Sequence, residues 1–266
     1  KLSRAVRAMV VLDDPETILV YDRVTALSAD YTKKWLLHCI NKPVAAGEKI
    51  LKGDAGNGIL ETRDPTLDIV NGPGRLAVRA LLPTRMRWLM IGGPDYKYYV
   101  ETDGDQSKGF DGINAVKGVG GRREVHYFDD GDWRLELEPL QPAQTHDFLV
   151  AMMPGSSQSP PKVDARIIGQ GPRYVVVQVG STAVVVADAA EKNTTITIGI
   201  TPVESVGRLV LTAITEPVAV AVDRFEPVAP PANAAIVKLP QPMAPKQPVA
   251  FTLSVKRDGS IGLTTK

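Results

Sequence analysis

The sequence predicts an all-β fold: a large, mainly antiparallel β-sandwich, with room for a second, smaller sandwich layer. Short runs rich in β-branched and aromatic residues recur along almost the whole chain, and turn-forming residues such as Asp13, Asp14 and Pro15 separate them. No stretch of about 12 residues or more keeps the apolar spacing of a helix without a Gly or Pro inside it. Strands at such short intervals favour stacked sheets over a parallel sheet with helical crossovers.

The first part of the chain, residues 1–154, is predicted to form the main sandwich. Its predicted strands are 5–12, 17–26, 34–40, 58–62, 67–70, 74–82, 87–91, 97–101 and 133–138. The last of these, WRLELE, alternates strictly between apolar and charged residues. Because side chains alternate across a strand, Trp133, Leu135 and Leu137 are predicted to face a core, and the charged residues between them to face water.

A change of composition marks the start of the second part, residues 155–266. The stretch 154–162 (PGSSQSPPK) is typical of a linker or an extended edge connection. Beyond it the predicted strands are more apolar: 174–179, 182–187, 194–200, 208–213, 218–222, 249–255 and 260–264. Seven prolines between 227 and 248 predict an edge segment or strap, since proline offers no donor to a ladder. We expect a smaller β-sheet region that packs on the first.

Charge and composition exclude several classes of function. With 31 basic and 30 acidic residues, the net charge of +1 gives no overall field that would attract nucleic acid, so no nucleic-acid partner is expected. No uninterrupted apolar run approaches the roughly 20 residues needed to cross a bilayer, so membrane insertion is not expected. The single cysteine, Cys39, lies in an apolar run and is interpreted as a buried small hydrophobe rather than a nucleophile.

Catalytic and metal-binding motifs are not evident in the sequence. The three histidines, His38, His126 and His146, are not at metal-ligand spacing, and no HExxH motif or Cys/His cluster accompanies them. The chain also has no GxSxG motif, and nothing marks two of its 30 acidic residues as an opposed pair. We therefore assign no catalytic residue, no metal ligand and no cofactor.

Two clusters are candidates for carbohydrate binding. Three of the seven tyrosines fall within residues 95–99, and on a strand Tyr96 and Tyr98 would share a face about 7 Å apart, which suits stacking against sugar rings. The alternative is that these rings cover a hydrophobic core. Arg122 and Arg123 follow two glycines and are suited to bidentate contact with a carboxylate or sulfate, or to a solvated basic turn. The tyrosines precede the Gly-rich stretch 102–124, and the two arginines lie near its end; this long loop is either functional or disordered.

An ordered series of segments carries a resemblance to a known family. The series YDRV, KKWLLH, GILET, RLAVRALLP, MIGGPDYKYYVE, GDWRLELEP and HDFLVAMMP resembles the C-terminal β-sandwich, of the super-sandwich type, of heparinase II/III-like polysaccharide lyases. The similarity covers about residues 5 to 154 and continues more weakly toward Arg224. The WRLELEP and FLVAMMP segments are its most specific elements.

This resemblance implies a modular enzyme in which a toroid of helices and a β-sandwich meet around a groove for an anionic, uronate-containing polysaccharide. Such lyases cleave by β-elimination, with Asn and Tyr from the helical part and a His from early sandwich strands. The three histidines here do not match that motif, so no catalytic residue is carried over. The resemblance implies a non-catalytic portion that acts as a scaffold and contacts the polysaccharide.

The same resemblance implies a helical N-terminal domain or subunit as a partner that is missing from this chain, which begins at Lys1 rather than Met. It also suggests a periplasmic or extracellular location. Two alternatives stay open: a stand-alone carbohydrate-binding module, and a purely structural interaction domain.

Overall fold

The computed structural model describes residues 1–97, 99–100, 110–111, 131–189, 194–214, 218–223, 234–255 and 261–265. All regular secondary structure in these residues is β-strand, arranged in several sheets in which most neighbouring strands are antiparallel. The prediction of an all-β, sandwich-like fold is therefore confirmed. No helix in these ranges has the length and apolar character that crossing a membrane requires.

The strands are, in chain order, β1 (Leu2–Asp13), β2 (Glu16–Ala26), β3 (Trp35–Cys39), β4 (Lys49–Gly53), β5 (Gly58–Thr62), β6 (Thr66–Asn71), β7 (Gly74–Leu82), β8 (Met86–Gly92), β9 (Tyr99–Val100), β10 (Phe110–Asp111), β11 (Trp133–Pro139), β12 (Thr145–Ser156), β13 (Ala165–Gly171), β14 (Tyr174–Val179), β15 (Thr182–Asp188), β16 (Thr194–Ile200), β17 (Val206–Ile214), β18 (Val218–Asp223), β19 (Ala234–Met243), β20 (Val249–Val255) and β21 (Ile261–Thr265).

The chain divides into two compact units, each assembled from separate segments. The first unit comprises Lys1–Tyr31, Ala143–Met153 and Lys162–Lys266, and the second comprises Thr32–Pro142 and Pro154–Pro161. The predicted division at residue 154 follows chain order instead, so it groups the strands differently.

In the first unit, a five-stranded sheet and a three-stranded sheet enclose one hydrophobic core. The larger sheet has the order β13-β14-β15-β17-β19, and the smaller one the order β16-β20-β21. Strand β16 (TTITIGI) alternates strictly between buried and exposed residues, so Ile196, Ile198 and Ile200 point into this core. By contrast, β15 is buried at every position, because the larger sheet is covered on both faces.

Among the described strands of the first unit, β1 with β18 and β15 with β17 are parallel pairs. Strand β1 pairs with β2 in antiparallel fashion but with β18 in parallel, and β15 pairs in parallel with β17. Parallel neighbours need a crossover connection. Between β15 and β17 the chain supplies one by placing β16 in the other sheet. The Pro-rich strand β19 lies at the edge of the larger sheet, as the prolines predict for the part of 227–248 that the structure describes.

In the second unit, a five-stranded antiparallel sheet has the order β3-β11-β8-β5-β4. One face carries the side chains of Trp35, Trp88 and Leu135, all buried, and the two indole rings meet edge to face with centroids 6.1 Å apart. The prediction that Trp133, Leu135 and Leu137 face a core is confirmed, since each is at most 5% exposed.

The prediction that the charged face of β11 is wet is wrong. Glu136 and Glu138 are each only 5% exposed. Their carboxylates are buried because cationic side chains from neighbouring strands lie over them and form ion pairs. The face opposite the tryptophans is therefore a charged, partly enclosed surface.

Candidate functional site

Of the four residues predicted to bind carbohydrate, the structure describes Tyr96 alone. Tyr98, Arg122 and Arg123 lie outside the described residues, as does His126. Tyr96 does not stand on a strand as predicted: β9 begins only at Tyr99, and the backbone N–H groups of Tyr96 and Lys97 donate to the carbonyl of Gly93 at 3.0 and 2.8 Å. This turn forms after Gly93, whose φ of 92° is accessible to glycine without strain.

The Tyr96 ring covers an apolar cluster. It packs at a centroid distance of 5.3 Å against the ring of Tyr99, and both rings lie against Ile59, Leu89 and Ile91. This arrangement matches the alternative interpretation of Tyr96, in which the ring shields apolar side chains. A direct role of Tyr96 in sugar stacking stays a prediction.

A pocket of about 350 Å³ lies on the charged face of this sheet, next to the apolar cluster. That volume is within the range of small-ligand pockets, roughly 300 to 1,000 Å³. The residues around it come from β4, β5, β8 and β11 of this sheet, from the position before β3 and from β9: Lys34, Leu51, Lys52, Ile59, Arg87, Leu89, Ile91, Tyr99, Arg134 and Glu136. We call this the sheet pocket.

The floor of the sheet pocket is aliphatic. Ile59 on β5 lies directly opposite Ile91 on β8. Leu89 is two residues before Ile91 on the same strand, so the two side chains lie on the same face. All three are between 4% and 8% exposed. The buried ring of Tyr99 extends this floor at one end. Such a surface suits the C–H face of a sugar ring or another flat, weakly polar group.

One wall of the pocket is an ion-pair network centred on Lys34. Its ammonium lies 2.7 Å from Glu136 and 2.8 Å from Glu138. Burial lowers the pKa of Lys34, but the hydrogen bonds that its ammonium donates to both carboxylates outweigh burial and leave that pKa raised. Lys34 therefore stays protonated at neutral pH and holds the two glutamates side by side.

Two arginines complete the network. Arg134 donates from Nε to Glu136 at 2.8 Å and from Nη2 to the Tyr99 carbonyl at 2.9 Å. Arg87 donates to Glu138 from Nε and Nη2, at 2.8 and 2.7 Å, and from Nη1 to Glu61 at 3.0 Å. These charge-assisted bonds fix the orientation of both guanidinium groups at the pocket.

Lys52 is the fourth cation at the pocket, and a β-bulge places it there. The register of the β4–β5 pair shifts between Ile50 and Lys52, so Leu51 and Lys52 both line the pocket. The ammonium of Lys52 lies 4.9 Å from the centroid of the Tyr99 ring and 3.3 Å from its Oη. Its contacts are thus to a neutral aromatic side chain.

The β4–β5 turn connects this end of the pocket to the Tyr96 turn. Asp54 accepts hydrogen bonds from the N–H groups of Gly56 and Asn57, at 2.8 and 2.9 Å. Asn57 in turn donates to the Asp95 carboxylate at 2.7 Å and accepts from the Asp95 N–H at 2.9 Å. This reciprocal pair holds the segment that leads to Tyr99 against the hairpin that carries Lys52.

The carboxylates beside the pocket are engaged in ion pairs. Glu136 pairs with Lys34 and Arg134, and Glu138 pairs with Lys34 and Arg87. His38 is exposed and does not line the pocket. In the part of the chain that the structure describes, no group of three or more His, Cys, Asp or Glu residues is arranged to hold a metal ion.

A second charge cluster lies in the first unit. Asp188 accepts two bonds from Arg4, at 2.6 and 2.7 Å, and one from Arg23 at 3.2 Å. Arg23 also forms a bidentate pair with Asp147, at 2.8 and 2.9 Å. Burial raises the pKa of Asp188, but the two arginines outweigh it and keep that pKa below its ordinary value. The cluster ties strands β1, β2, β12 and β15 together.

Sequence reasoning missed the residues of the sheet pocket. The alternation in WRLELE did place Arg134, Glu136 and Glu138 on one face, and that was the available signal. What the sequence did not reveal is that Lys34 and Arg87 come from neighbouring strands to the same face. To place these residues on one face, the order of the strands in the sheet must be known, and that order is set by pairing between strands that are distant in sequence.

No protein-family model matches this chain, and the comparison with curated proteins found no similar one. The resemblance to heparinase II/III-like lyases therefore rests on the sequence segments given above.

Proposed function

We propose that this chain is a non-catalytic β-sandwich portion of a heparinase II/III-like polysaccharide lyase, and that its sheet pocket contacts an anionic carbohydrate. The observation that carries the binding role is the pocket itself, in which four cationic side chains surround an aliphatic floor. The lyase assignment, with β-elimination in a partner helical domain and a periplasmic or extracellular location, is supported by the resemblance of the segments alone.

The pocket chemistry supports an acidic sugar in particular. Guanidinium groups fixed by ion pairs present further N–H donors in a planar fork, which suits the oxygen atoms of an acidic sugar. The floor of Ile59, Leu89 and Ile91 suits the apolar face of a pyranose ring. A ligand pocket typically combines such an apolar surface with a few placed polar groups. A stand-alone carbohydrate-binding module would use the same pocket. The lyase hypothesis and the binding-module hypothesis therefore differ in whether a partner helical domain exists, and they agree on this site.

The binding role is tested by affinity electrophoresis of the whole chain on alginate, heparan sulfate, chondroitin and hyaluronan, with neutral dextran as the reference polymer. We expect retardation by at least one acidic polymer and none by dextran. Leu51→Asp, which adds a negative charge at the mouth of the pocket, should remove the retardation. Ile50→Asp is the matched control, since Ile50 is similarly exposed on the same strand but does not line the pocket. Equal loss in both variants, or no retardation of the wild type, overturns the binding role.

The non-catalytic role has a separate test. The same polymers are incubated with the chain, and absorbance of unsaturated uronate is followed. We expect no increase above the rate without protein. A steady increase that scales with protein concentration would contradict this part of the proposal.

A second candidate is a structural interaction domain. It is favoured by the exposed apolar side chains Leu36, Ile40 and Val44 of the second unit, which are 39% to 61% exposed. Light scattering of the chain over a range of concentrations tests it. A growing mean mass that Leu36→Lys and Val44→Lys together abolish would favour this role.

A further inference from the structure

We infer that the sheet pocket selects a sugar with a single negative charge, and that Lys52 is the residue that recognises this charge. This inference rests on the binding role proposed above. It adds a preference for ligands that carry carboxylates alone over densely sulfated chains.

The charges of the network balance at the pocket. Three cations that line it, Lys34, Arg87 and Arg134, face three carboxylates, Glu61, Glu136 and Glu138. Each of these cations lies within 3.0 Å of at least one carboxylate. Arg63 also lies 3.9 Å from Glu61, but its side chain is 72% exposed and does not line the pocket. At the pocket the network therefore supplies directed N–H donors but no net attraction for an anion.

The surroundings of Lys52 distinguish its charge from those of the network. Among the described residues, its hydrogen bond and ring contact are both with Tyr99, a neutral side chain. The positive charge of Lys52 is therefore the excess charge of the pocket. Because it stands at the end opposite the paired glutamates, an incoming anion is drawn to one end of the site.

Additional anions on the same ligand are disfavoured by the pocket. A second charged group on the same ligand would lie toward Glu136, whose carboxylate is buried and already bonded to Lys34 and Arg134. A sulfate at that position meets like charge without a free cation to offset it. A sugar ring that packs on Ile59 and Ile91 and directs a single carboxylate to Lys52 binds in the pocket without this repulsion.

The experiment measures binding of hexasaccharides to the whole chain by isothermal titration calorimetry. Alginate and polygalacturonate hexasaccharides carry one carboxylate per sugar, their methyl esters are neutral, and a heparin hexasaccharide carries several charges per repeating disaccharide. The variants are Lys52→Met, which keeps the aliphatic stem, and Lys52→Arg, which keeps the charge. Lys49→Met removes a charge from the same strand outside the pocket and serves as the matched control. Thermal melts of each variant verify that it is folded.

The expected result is that the carboxylate-only probe binds more tightly than both its methyl ester and the heparin probe. Lys52→Met should weaken it by about 10- to 100-fold, as expected for a lost charge-assisted hydrogen bond. Lys52→Arg should retain most of the affinity, and Lys49→Met all of it.

Two outcomes overturn the inference while the binding role stands. One is that Lys52→Met loses no more affinity than Lys49→Met, and the other is that the heparin probe binds more tightly than the carboxylate-only probe. Failure of the wild type to bind any of these probes or the polymers would overturn the binding role and this inference together.

Discussion

Lys34 and Glu136 form a 2.7 Å ion pair on the face of the sheet opposite the buried tryptophans. The side chain of Glu136 is almost fully buried, whereas that of Lys34 remains about one-third exposed. The pair therefore shields from solvent a charged face of β11 that the alternation of its sequence predicts to be exposed. It also forms a wall of the sheet pocket, so stability and the shape of the site depend on the same contact.

Lys34→Met is expected to destabilise the second unit by about 1 to 3 kcal/mol. Removal of one partner leaves the carboxylates of Glu136 and Glu138 buried with fewer partners, and partial exposure of Lys34 moderates the cost. The measurement is urea unfolding followed by tryptophan fluorescence. All three tryptophans, Trp35, Trp88 and Trp133, are buried in the second unit and report on it.

The control for that prediction is Lys42→Met. Lys42 forms a pair of similar length with Glu48, at 2.6 Å, but the Glu48 side chain is more exposed than Glu136. We expect this variant to lose about 1 kcal/mol or less. An equal loss of unfolding free energy in both variants would mean that burial of the carboxylate does not determine the size of the destabilisation.

Arg23→Met is expected to destabilise the first unit by about 3 to 5 kcal/mol. The Arg23 side chain is 12% exposed and its guanidinium bridges Asp147 and Asp188, so the variant leaves Asp147 without its bidentate partner. Arg4→Met provides the comparison, because Arg4 is more exposed and Asp188 keeps Arg23. The free energy of unfolding, from urea titration followed by far-UV circular dichroism, should fall more for Arg23→Met. A smaller loss than for Arg4→Met would contradict the ranking.

The pH dependence of stability should include a contribution from Asp188. Its folded-state pKa lies below the value of about 3.9 expected for an unfolded aspartate, because Arg4 and Arg23 outweigh the effect of burial. The unfolded state then binds more protons in this range, so the stabilisation is complete above about pH 4 and is lost as the pH falls through the folded-state pKa. Asp188→Asn should flatten this part of the profile of unfolding free energy against pH. An unchanged profile between pH 5 and 2, within about 0.5 kcal/mol, would contradict the assignment.

The local features of this fold were predictable from the sequence, and the non-local ones were not. Alternation in β11 predicted which of its apolar side chains face a core, since that pattern depends on neighbours two residues apart. The burial of Glu136 was not predictable, because it depends on Lys34, which is far away in sequence and reaches the same face through the β3–β11 pair. Lys52 enters the pocket through a bulge, which no local pattern indicated. Tyr96 was placed on a strand because its neighbours are aromatic, but Gly93 and Pro94 start a turn there instead.

Cys39 should resist modification in the folded protein. Burial raises the pKa of its thiol to about 12, and the thiol donates to the carbonyl of Trp133 at 3.7 Å. At pH 8 the thiolate is therefore scarce, and the side chain is only 8% exposed. We expect no stoichiometric reaction with a disulfide reagent over minutes under native conditions, and one thiol per chain after unfolding in urea, which serves as the control because the chain has a single cysteine. Lys34→Met provides a sharper comparison: if its loss loosens this sheet, Cys39 should react faster in that variant at equal pH. Complete modification of the native wild type on mixing would contradict the burial of this strand.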